Sequence, residues 1–259
     1  MPNKSCLFTL VLTVLLGTSL TLAGVDEFAA KGREVLAKNS QSVVCVQVVL
    51  KMTYSGSGNE SKLELTGTVI DGSGLTVVAL SACDPSEVYQ RFGEDSSSRV
   101  QTEVTDIKIL MEDGSEVPSE IVLRDKDLDL AFIRPKSKPA SPMTAIDLGR
   151  SASVLPLDQV VALHRLNSAA GRACAATPER VSAVIKKPRT FYIPESSLSG
   201  TTLGAPAFSV DGGLVGIFVV RAINLKGSRN FRNNMTPIIL PAADIQNAAK
   251  QAPEPKSEK

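Results

Sequence analysis

The sequence has little of what most catalytic and metal-binding chemistry requires. It contains one histidine, His164, so any mechanism in which a histidine accepts a proton must use that residue. Its four cysteines include no Cys-x-x-Cys pair, which argues against a structural zinc site. The 28 basic residues nearly balance the 27 acidic ones, so a nucleic-acid-binding surface is not indicated. We therefore expect no metal, no cofactor and no nucleic-acid partner.

A long apolar run lies at the N-terminus. Lys4 supplies a positive charge, residues 7–16 form an apolar core, and Thr21-Leu22-Ala23 is a small-residue cleavage pattern. This pattern predicts a secretory signal at residues 1–23 and a secreted or periplasmic protein. The alternative is a retained membrane anchor, because the apolar stretch 6–23 is about 18 residues long, near the lower limit for a spanning helix. Membrane attachment is expected only if the signal is not cleaved.

Three cysteines remain once the signal is removed: Cys45, Cys83 and Cys174. An odd number of thiols cannot pair completely. One interpretation is a single disulfide with one free thiol, and the other is three buried thiols that act as small apolar side chains. We favour the second because Cys45 lies inside the strand-like run 43–50.

The chain after the signal starts with a helical pattern and continues as many short strands. Residues 25–38 alternate apolar and charged positions at helical spacing, which predicts an amphipathic helix. From Val43 onward, β-branched runs are interrupted by turn residues, as is typical of an all-β barrel or sandwich. The dipeptides Asp71-Gly72, Asp113-Gly114 and Asp211-Gly212 lie between such runs and predict antiparallel hairpins.

A connector divides the β region into two halves. Residues 136–142 contain two prolines and no apolar periodicity. We place a boundary there, with one β unit at 41–138 and a second at 139–241. The N-terminal helix then occupies 24–40, and residues 242–259 are predicted to form a short helix followed by a disordered tail.

Three segments carry a family signature when they are taken in order. Residues 65–82 form a hairpin whose second strand ends in Leu80-Ser81-Ala82. Residues 107–135 contain Asp129-Leu130-Ala131. Residues 199–219 contain Gly204-Ala205-Pro206, followed by an Asp-Gly turn and a strand. Together these segments resemble the HtrA (Deg-like) branch of the trypsin-like serine proteases.

The resemblance covers most of the chain between residues 43 and 240 and implies a fold. Members of this family have two antiparallel β-barrels with a site in the cleft between them. We therefore expect an all-β protein with two barrels of the trypsin-like fold and short helices at both ends.

The resemblance also assigns the catalytic positions, and two of the three are substituted. Asp129 matches the aspartate of the triad, Ser81 occupies the histidine position, and Leu203 occupies the serine position. A leucine has no nucleophilic atom, which excludes acylation at residue 203. A serine hydroxyl cannot replace an imidazole as a proton carrier near neutral pH.

The oxyanion loop is predicted to be degenerate as well. It comprises Thr201, Thr202 and Gly204 around the nucleophile position. The family has a glycine where this chain has Thr201, and a β-branched residue resists the backbone angles that such a glycine adopts. Loss of the oxyanion donors is therefore expected.

These substitutions predict a pseudoprotease that is not an enzyme and that holds a peptide or protein ligand in the cleft. One alternative is an enzyme with displaced machinery that uses His164, Cys83 or another serine. Another is a structural component of the cell envelope. We interpret His164 as an ordinary surface or packing residue, and Asp129 as a structural acid that accepts backbone hydrogen bonds.

Two further segments have alternative interpretations. Residues 84–103 exceed the family's usual length and are either a tolerated surface insertion or a loop that contributes to the cleft. Residues 224–234 carry Lys226, Arg229 and Arg232, and form either a solvated hairpin tip or a basic contact for a partner.

Overall fold

The structure is a computed structural model that describes residues 23–54, 57–86, 101–196, 201–222 and 235–255. Most of the two segments at 84–103 and 224–234 lies outside these ranges. Within them the chain forms three α-helices and twelve β-strands. The helices are α1 (Ala23–Asn39), α2 (Leu80–Cys83) and α3 (Ala242–Ala249). The strands are β1 (Val43–Tyr54), β2 (Ser57–Val69), β3 (Thr76–Ala79), β4 (Gln101–Leu110), β5 (Glu116–Asp125), β6 (Leu130–Pro135), β7 (Gln159–Arg165), β8 (Cys174–Ile185), β9 (Phe191–Pro194), β10 (Pro206–Ser209), β11 (Leu214–Ala222) and β12 (Met235–Pro241).

Helix α1 follows from the apolar spacing of its sequence. Val35 is buried, and Phe28 and Leu36 pack beside it against the outer face of the second barrel. The side-chain amide of Asn39 donates to the carbonyl oxygen of Val35 at 2.9 Å and satisfies one acceptor at the end of the helix. None of the helices in the described ranges is both long and apolar enough to cross a membrane.

The first six strands close into one antiparallel barrel in the order β1, β2, β3, β6, β5, β4. Two of the predicted Asp-Gly turns lie at its hairpins. Asp71 joins β2 to β3, and its carboxylate accepts the backbone N–H of Ser73 at 2.7 Å. Asp113 does the same for Ser115 at 2.8 Å between β4 and β5. Such Asx turns explain why an aspartate opens each hairpin.

The last six strands close into a second antiparallel barrel in the order β10, β11, β12, β9, β8, β7. The third predicted turn, at Asp211, joins β10 to β11. The two barrels confirm the predicted fold class. The sequence pattern did not reveal β10 as a strand, because it has four residues and begins with Pro206.

The packed interior of the described residues has one part in each barrel, one part beneath helix α1, and one part that the two barrels share. Residues of β3 and β6 from the first barrel pack against residues of β11, β12 and α3 from the second. We call this shared part the inter-barrel cluster, and its most buried members include Ala79, Leu130, Phe132, Ile217 and Val219. The cleft where a site is expected therefore has an apolar floor.

A buried arginine adds a polar connection between the barrels. Arg165, at the end of β7, is 7% exposed. Its guanidinium group donates to the carbonyl oxygens of Ser40, Val43 and Arg172 and to the carboxylate of Glu112. Because these groups lie on both barrels, the side chain of Arg165 is one of the contacts that connect them.

The three cysteines of the described chain are free thiols. Cys45 and Cys83 are buried, and Cys174 is partly buried. Burial raises the pKa of Cys45 to about 11 and that of Cys83 to about 12. They therefore act as small apolar side chains, as predicted, and remain protonated near neutral pH.

Candidate functional site

The fold brings together two of the three positions assigned to the triad. Ser81 lies in α2, directly after β3, and Asp129 lies directly before β6. These two strands are neighbours in the first barrel, and Ala79 is paired with Leu130. The end of one strand and the start of the other therefore place Ser81 beside Asp129.

The carboxylate of Asp129 accepts three hydrogen bonds. One oxygen, Oδ1, accepts the backbone N–H of Ser81 at 2.7 Å. The other, Oδ2, accepts the hydroxyl of Ser81 at 2.9 Å and the backbone N–H of Val220 at 2.7 Å. Because Val220 belongs to β11 of the second barrel, Asp129 connects the two barrels at the floor of the cleft.

Asp129 is buried, its pKa is raised, and its backbone has an uncommon conformation. The side chain is 9% exposed, and burial raises its pKa to about 6, while the bonds from Val220 and Ser81 oppose the shift. The backbone at Asp129 has a φ of 58°, an uncommon conformation for a residue with a side chain. Its carbonyl oxygen accepts the N–H of Leu80 at 2.9 Å. Side chain and backbone together attach α2 to the start of β6.

Leu203, which the family resemblance assigns to the nucleophile position, lies in the turn that precedes β10. Its side chain is partly buried and packs against the inter-barrel cluster. The turn is closed by a hydrogen bond from the N–H of Ala205 to the carbonyl oxygen of Thr202 at 3.0 Å. An aliphatic side chain therefore contributes to the floor of the cleft at this position, and it offers no atom that could form a covalent intermediate.

Two threonines of the first barrel hold this turn in place. Thr66 donates its hydroxyl to the carbonyl oxygen of Thr201 at 2.7 Å, and Thr68 donates to that of Gly204 at 2.9 Å. Thr66 also accepts the N–H of Arg165 at 2.9 Å. Both threonines are fully buried. These hydrogen bonds attach the loop that carries Leu203 to strand β2.

Gly204 is required by this close approach. Its φ is 86°, and a Cβ atom there would lie 2.3 Å from the carbonyl oxygen of Thr66. Its N–H donates to Phe218 of β11 at 2.8 Å. A side chain at residue 204 would separate the turn from the first barrel, so this close approach requires glycine.

A second buried carboxylate positions the chain just before this turn. Glu179, on β8, is 8% exposed. One of its oxygens accepts the backbone N–H groups of Arg180, Glu195 and Ser196 at distances of 3.1, 2.9 and 3.0 Å. It fixes the end of β9, from which the chain continues toward the turn at residues 201–204.

The residues considered for displaced catalysis do not meet at this site. His164 lies on β7, paired with Ala175 of β8. Its Nδ1 atom is buried and accepts no hydrogen bond from the described residues, and burial lowers its pKa. Cys83 is fully buried in the interior of the first barrel. In the ranges that the structure describes, no group of three or more histidine, cysteine, aspartate or glutamate side chains could hold a metal ion.

The sequence predicted Ser81, Asp129 and Leu203 as site residues, and it did not point to Thr66, Thr68 or the amide of Val220, which contact them or their loop. One signal for the threonines was available. They alternate on β2 with Gly67 between them, so their side chains face the same side of a strand whose apolar neighbours are buried. Buried hydroxyls require partners, which here are carbonyl oxygens of the other barrel.

Comparison with known proteins agrees with this architecture. A model of the trypsin-like peptidase domain matches residues 65–217, which is more than half of the chain. The crystal structure of the apo MamO protease domain from Magnetospirillum magneticum has a TM-score of 0.52 at 14% identity. That similarity covers 81% of this chain and 96% of the other, and it concerns the fold alone. No curated protein matches the sequence significantly.

Two closed antiparallel barrels, with a buried aspartate that links them across a cleft, define a protein of the trypsin-like architecture. The chain belongs to the family of trypsin-like peptidase domains.

Proposed function

We propose that this chain is a non-catalytic member of the family, a pseudoprotease of the HtrA-like branch that is exported and binds a peptide or protein in the inter-barrel cleft. The branch is supported by the three ordered segments, and export by the N-terminal apolar segment. One observation carries the loss of catalysis. Where a nucleophile and its base are needed, Leu203 packs against the inter-barrel cluster and the hydroxyl of Ser81 donates to Asp129.

This pair of side chains cannot perform acyl transfer by the family's mechanism. Catalysis would require a nucleophile at residue 203 and a proton acceptor at residue 81. Leu203 supplies no nucleophile. Ser81 supplies no acceptor of useful basicity near neutral pH, and its hydroxyl group donates its proton to the carboxylate of Asp129. Restoring either residue alone therefore leaves the other half of the mechanism absent.

The end of β11 offers a surface for ligand binding. Strand β10 is paired with β11 only as far as Ile217, whereas β11 continues to Ala222 with β12 on its other side. Beyond Ile217, the amides of Phe218 and Val220 donate to Ala205 and to Asp129. Amides of alternate residues face the same side of a strand, so the N–H of Ala222 faces the cleft as well. An extended peptide added at this edge would use main-chain hydrogen bonds.

The catalytic part of the proposal is tested with a fluorophosphonate probe on the purified protein. We expect no labelled serine in the native chain or in Leu203→Ser, because neither has a base at residue 81. An active trypsin-like protease serves as the positive control. Labelling of the native chain at Ser81 or at another serine would favour an enzyme with displaced machinery.

The binding part is tested at Ala222. A display library of unstructured peptides is selected on the native chain, and the affinities of the selected peptides are measured by calorimetry. Ala222→Pro removes the N–H on the edge that no described strand covers and leaves the hydrogen bonds to β12 in place, so binding should weaken at least tenfold. Ala222→Val retains the N–H and is the matched control. Equal affinity in all three proteins would contradict binding at this edge, and the absence of any selected peptide would favour a structural envelope component.

A further inference from the structure

Two leucines project from the second barrel into solvent. Leu155 is 70% exposed and Leu157 is 72% exposed, and within the described ranges they are the only large apolar residues that lie largely in solvent. They flank Pro156 in the loop that leads into β7. Single exposed leucines are common on protein surfaces, but a pair on one turn with a proline between them forms a small apolar projection.

The turn that carries them is held rigidly by four hydrogen bonds. The N–H of Asp158 donates to Leu155 at 3.1 Å, and the carboxylate of Asp158 accepts the N–H of Leu155 at 2.7 Å. Leu157 donates to Val181 of β8 at 2.7 Å, and Val181 donates back to Asp158 at 3.0 Å. The leucines are therefore presented in one fixed arrangement, so a partner would pay little ordering entropy to bind them.

The position of Leu157 is unfavourable for the isolated chain in two ways. Its φ is 77°, in the left-handed region that favours glycine. Its side chain gains almost nothing from burial, since most of it remains in water. A glycine would remove the strain with no loss of packing. A strained residue that does not benefit the fold indicates a function at that position.

The position of helix α1 and the apolar segment before it indicate what the turn contacts. Helix α1 packs across β7 and β8, so closely that a Cβ atom added at Gly32 would lie 3.7 Å from the side chain of Val161 on β7. These are the two strands to which the turn belongs. The apolar segment 6–23 leads directly into α1. One apolar projection is too small for a stable protein interface, which buries about 800 Å² per partner. A weak membrane contact is effective when a second attachment holds the protein at the bilayer.

We propose that the turn Leu155–Asp158 inserts its two leucines into the interface of a lipid bilayer, and that the retained apolar segment 6–23 holds the chain at the same membrane. This inference takes the alternative in which the signal is not cleaved, and it is independent of the cleft. The carboxylate of Asp158 is engaged with Leu155, and the contact is made by aliphatic side chains. A bilayer of zwitterionic lipid is therefore sufficient for insertion of the two leucines.

The absence of tryptophan from the sequence makes the test direct. Leu157→Trp introduces a single tryptophan at the turn, and Lys136→Trp introduces one at an exposed position after the first barrel. The full chain, with residues 1–23 verified by mass, is bound to phosphatidylcholine vesicles that contain lipids with brominated tails. We expect a blue shift and at least threefold stronger quenching for Trp at 157 than for Trp at 136.

Three outcomes would overturn the proposal. The first is equal quenching by lipid at the two positions. The second is full access of aqueous iodide to the tryptophan at residue 157 on vesicles. The third is a blue shift that occurs without vesicles and grows with protein concentration, which would identify a second copy of the chain as the partner. Leu155→Ser in the Leu157→Trp background should reduce the lipid quenching, and unchanged quenching would also contradict the insertion of both leucines.

Discussion

Asp129 and Ser81 are joined by two hydrogen bonds, one from the backbone amide of Ser81 at 2.7 Å and one from its hydroxyl at 2.9 Å. The amide of Val220 adds a third bond to the same carboxylate from the other barrel. The buried carboxylate of Asp129 thus connects the two barrels. Removal of its bonds should therefore be measurable as a loss of stability.

Asp129→Asn should destabilise the fold by about 1–3 kcal/mol at pH 4.5, where the carboxyl of the native protein is protonated. An amide has one acceptor oxygen, and its NH2 group would face the N–H of either Ser81 or Val220. One buried donor then loses its acceptor. Urea unfolding followed by circular dichroism measures the change. Ser81→Ala is the matched control, because it deletes the hydroxyl and keeps both backbone bonds, and its cost should be smaller.

The pH dependence of stability should also report on Asp129. Burial raises its pKa to about 6 in the folded protein, above the value of about 3.9 in an unfolded chain. The folded state therefore binds the proton more tightly. The resulting stabilisation, about 3 kcal/mol, is complete below pH 3.9 and is lost as the pH rises through 6.

Unfolding curves of the native protein and Asp129→Asn between pH 4 and pH 8 isolate this contribution. The cost of the substitution should be largest at pH 4 and should shrink as the pH rises. Since the other titratable groups are common to both proteins, their effects cancel in the difference. A difference that is constant with pH would show that the carboxyl has an ordinary pKa.

Local signals in the sequence were sufficient for several individual elements and for the all-β class, whereas the two-barrel fold was predicted from the family resemblance. The Asp113-Gly114 hairpin needs only an aspartate that accepts a nearby amide and a glycine at φ 83°. Helix α1 needs only apolar residues at helical spacing. In contrast, β10 is defined by its neighbours, since Ala207 pairs with Ala162 of β7 and Pro206 with Ile217 of β11. Such pairings are not encoded in the four residues themselves.

Site residues could be predicted from the sequence only where they lie in a segment that resembles the family. Ser81, Asp129 and Leu203 were placed by their family segments. The hydroxyl of Thr66 reaches the carbonyl oxygen of Thr201, which is 135 positions away in the sequence. Thr68 and Gly204 are 136 positions apart. Contacts of this range depend on how two closed barrels meet, which no local pattern of residues specifies.

Gly204→Ala should cost about 3 kcal/mol or more, because a positive φ and a steric overlap act together. The new Cβ would lie 2.3 Å from the carbonyl oxygen of Thr66, which is backbone and cannot move aside. Gly114→Ala is the matched control, since it has a φ of 83° and no atom within 4 Å of the added Cβ. Its cost should be only about 1–2 kcal/mol. Equal losses in thermal unfolding would show that the turn does not rest on β2.

Leu157→Gly should make the protein more stable, an unusual outcome for the removal of a large apolar side chain. The leucine is 72% exposed, so little packing is lost, and its φ of 77° is one that glycine adopts without strain. The gain is limited to about 1 kcal/mol, because glycine also increases the entropy of the unfolded chain. Leu155→Gly removes a similar side chain from the same turn, but Leu155 is not among the residues with positive φ, so it should bring no gain. A lower melting temperature for Leu157→Gly than for the native protein would mean that Leu157 supports the fold. Its strained backbone would then be no indication of a membrane contact.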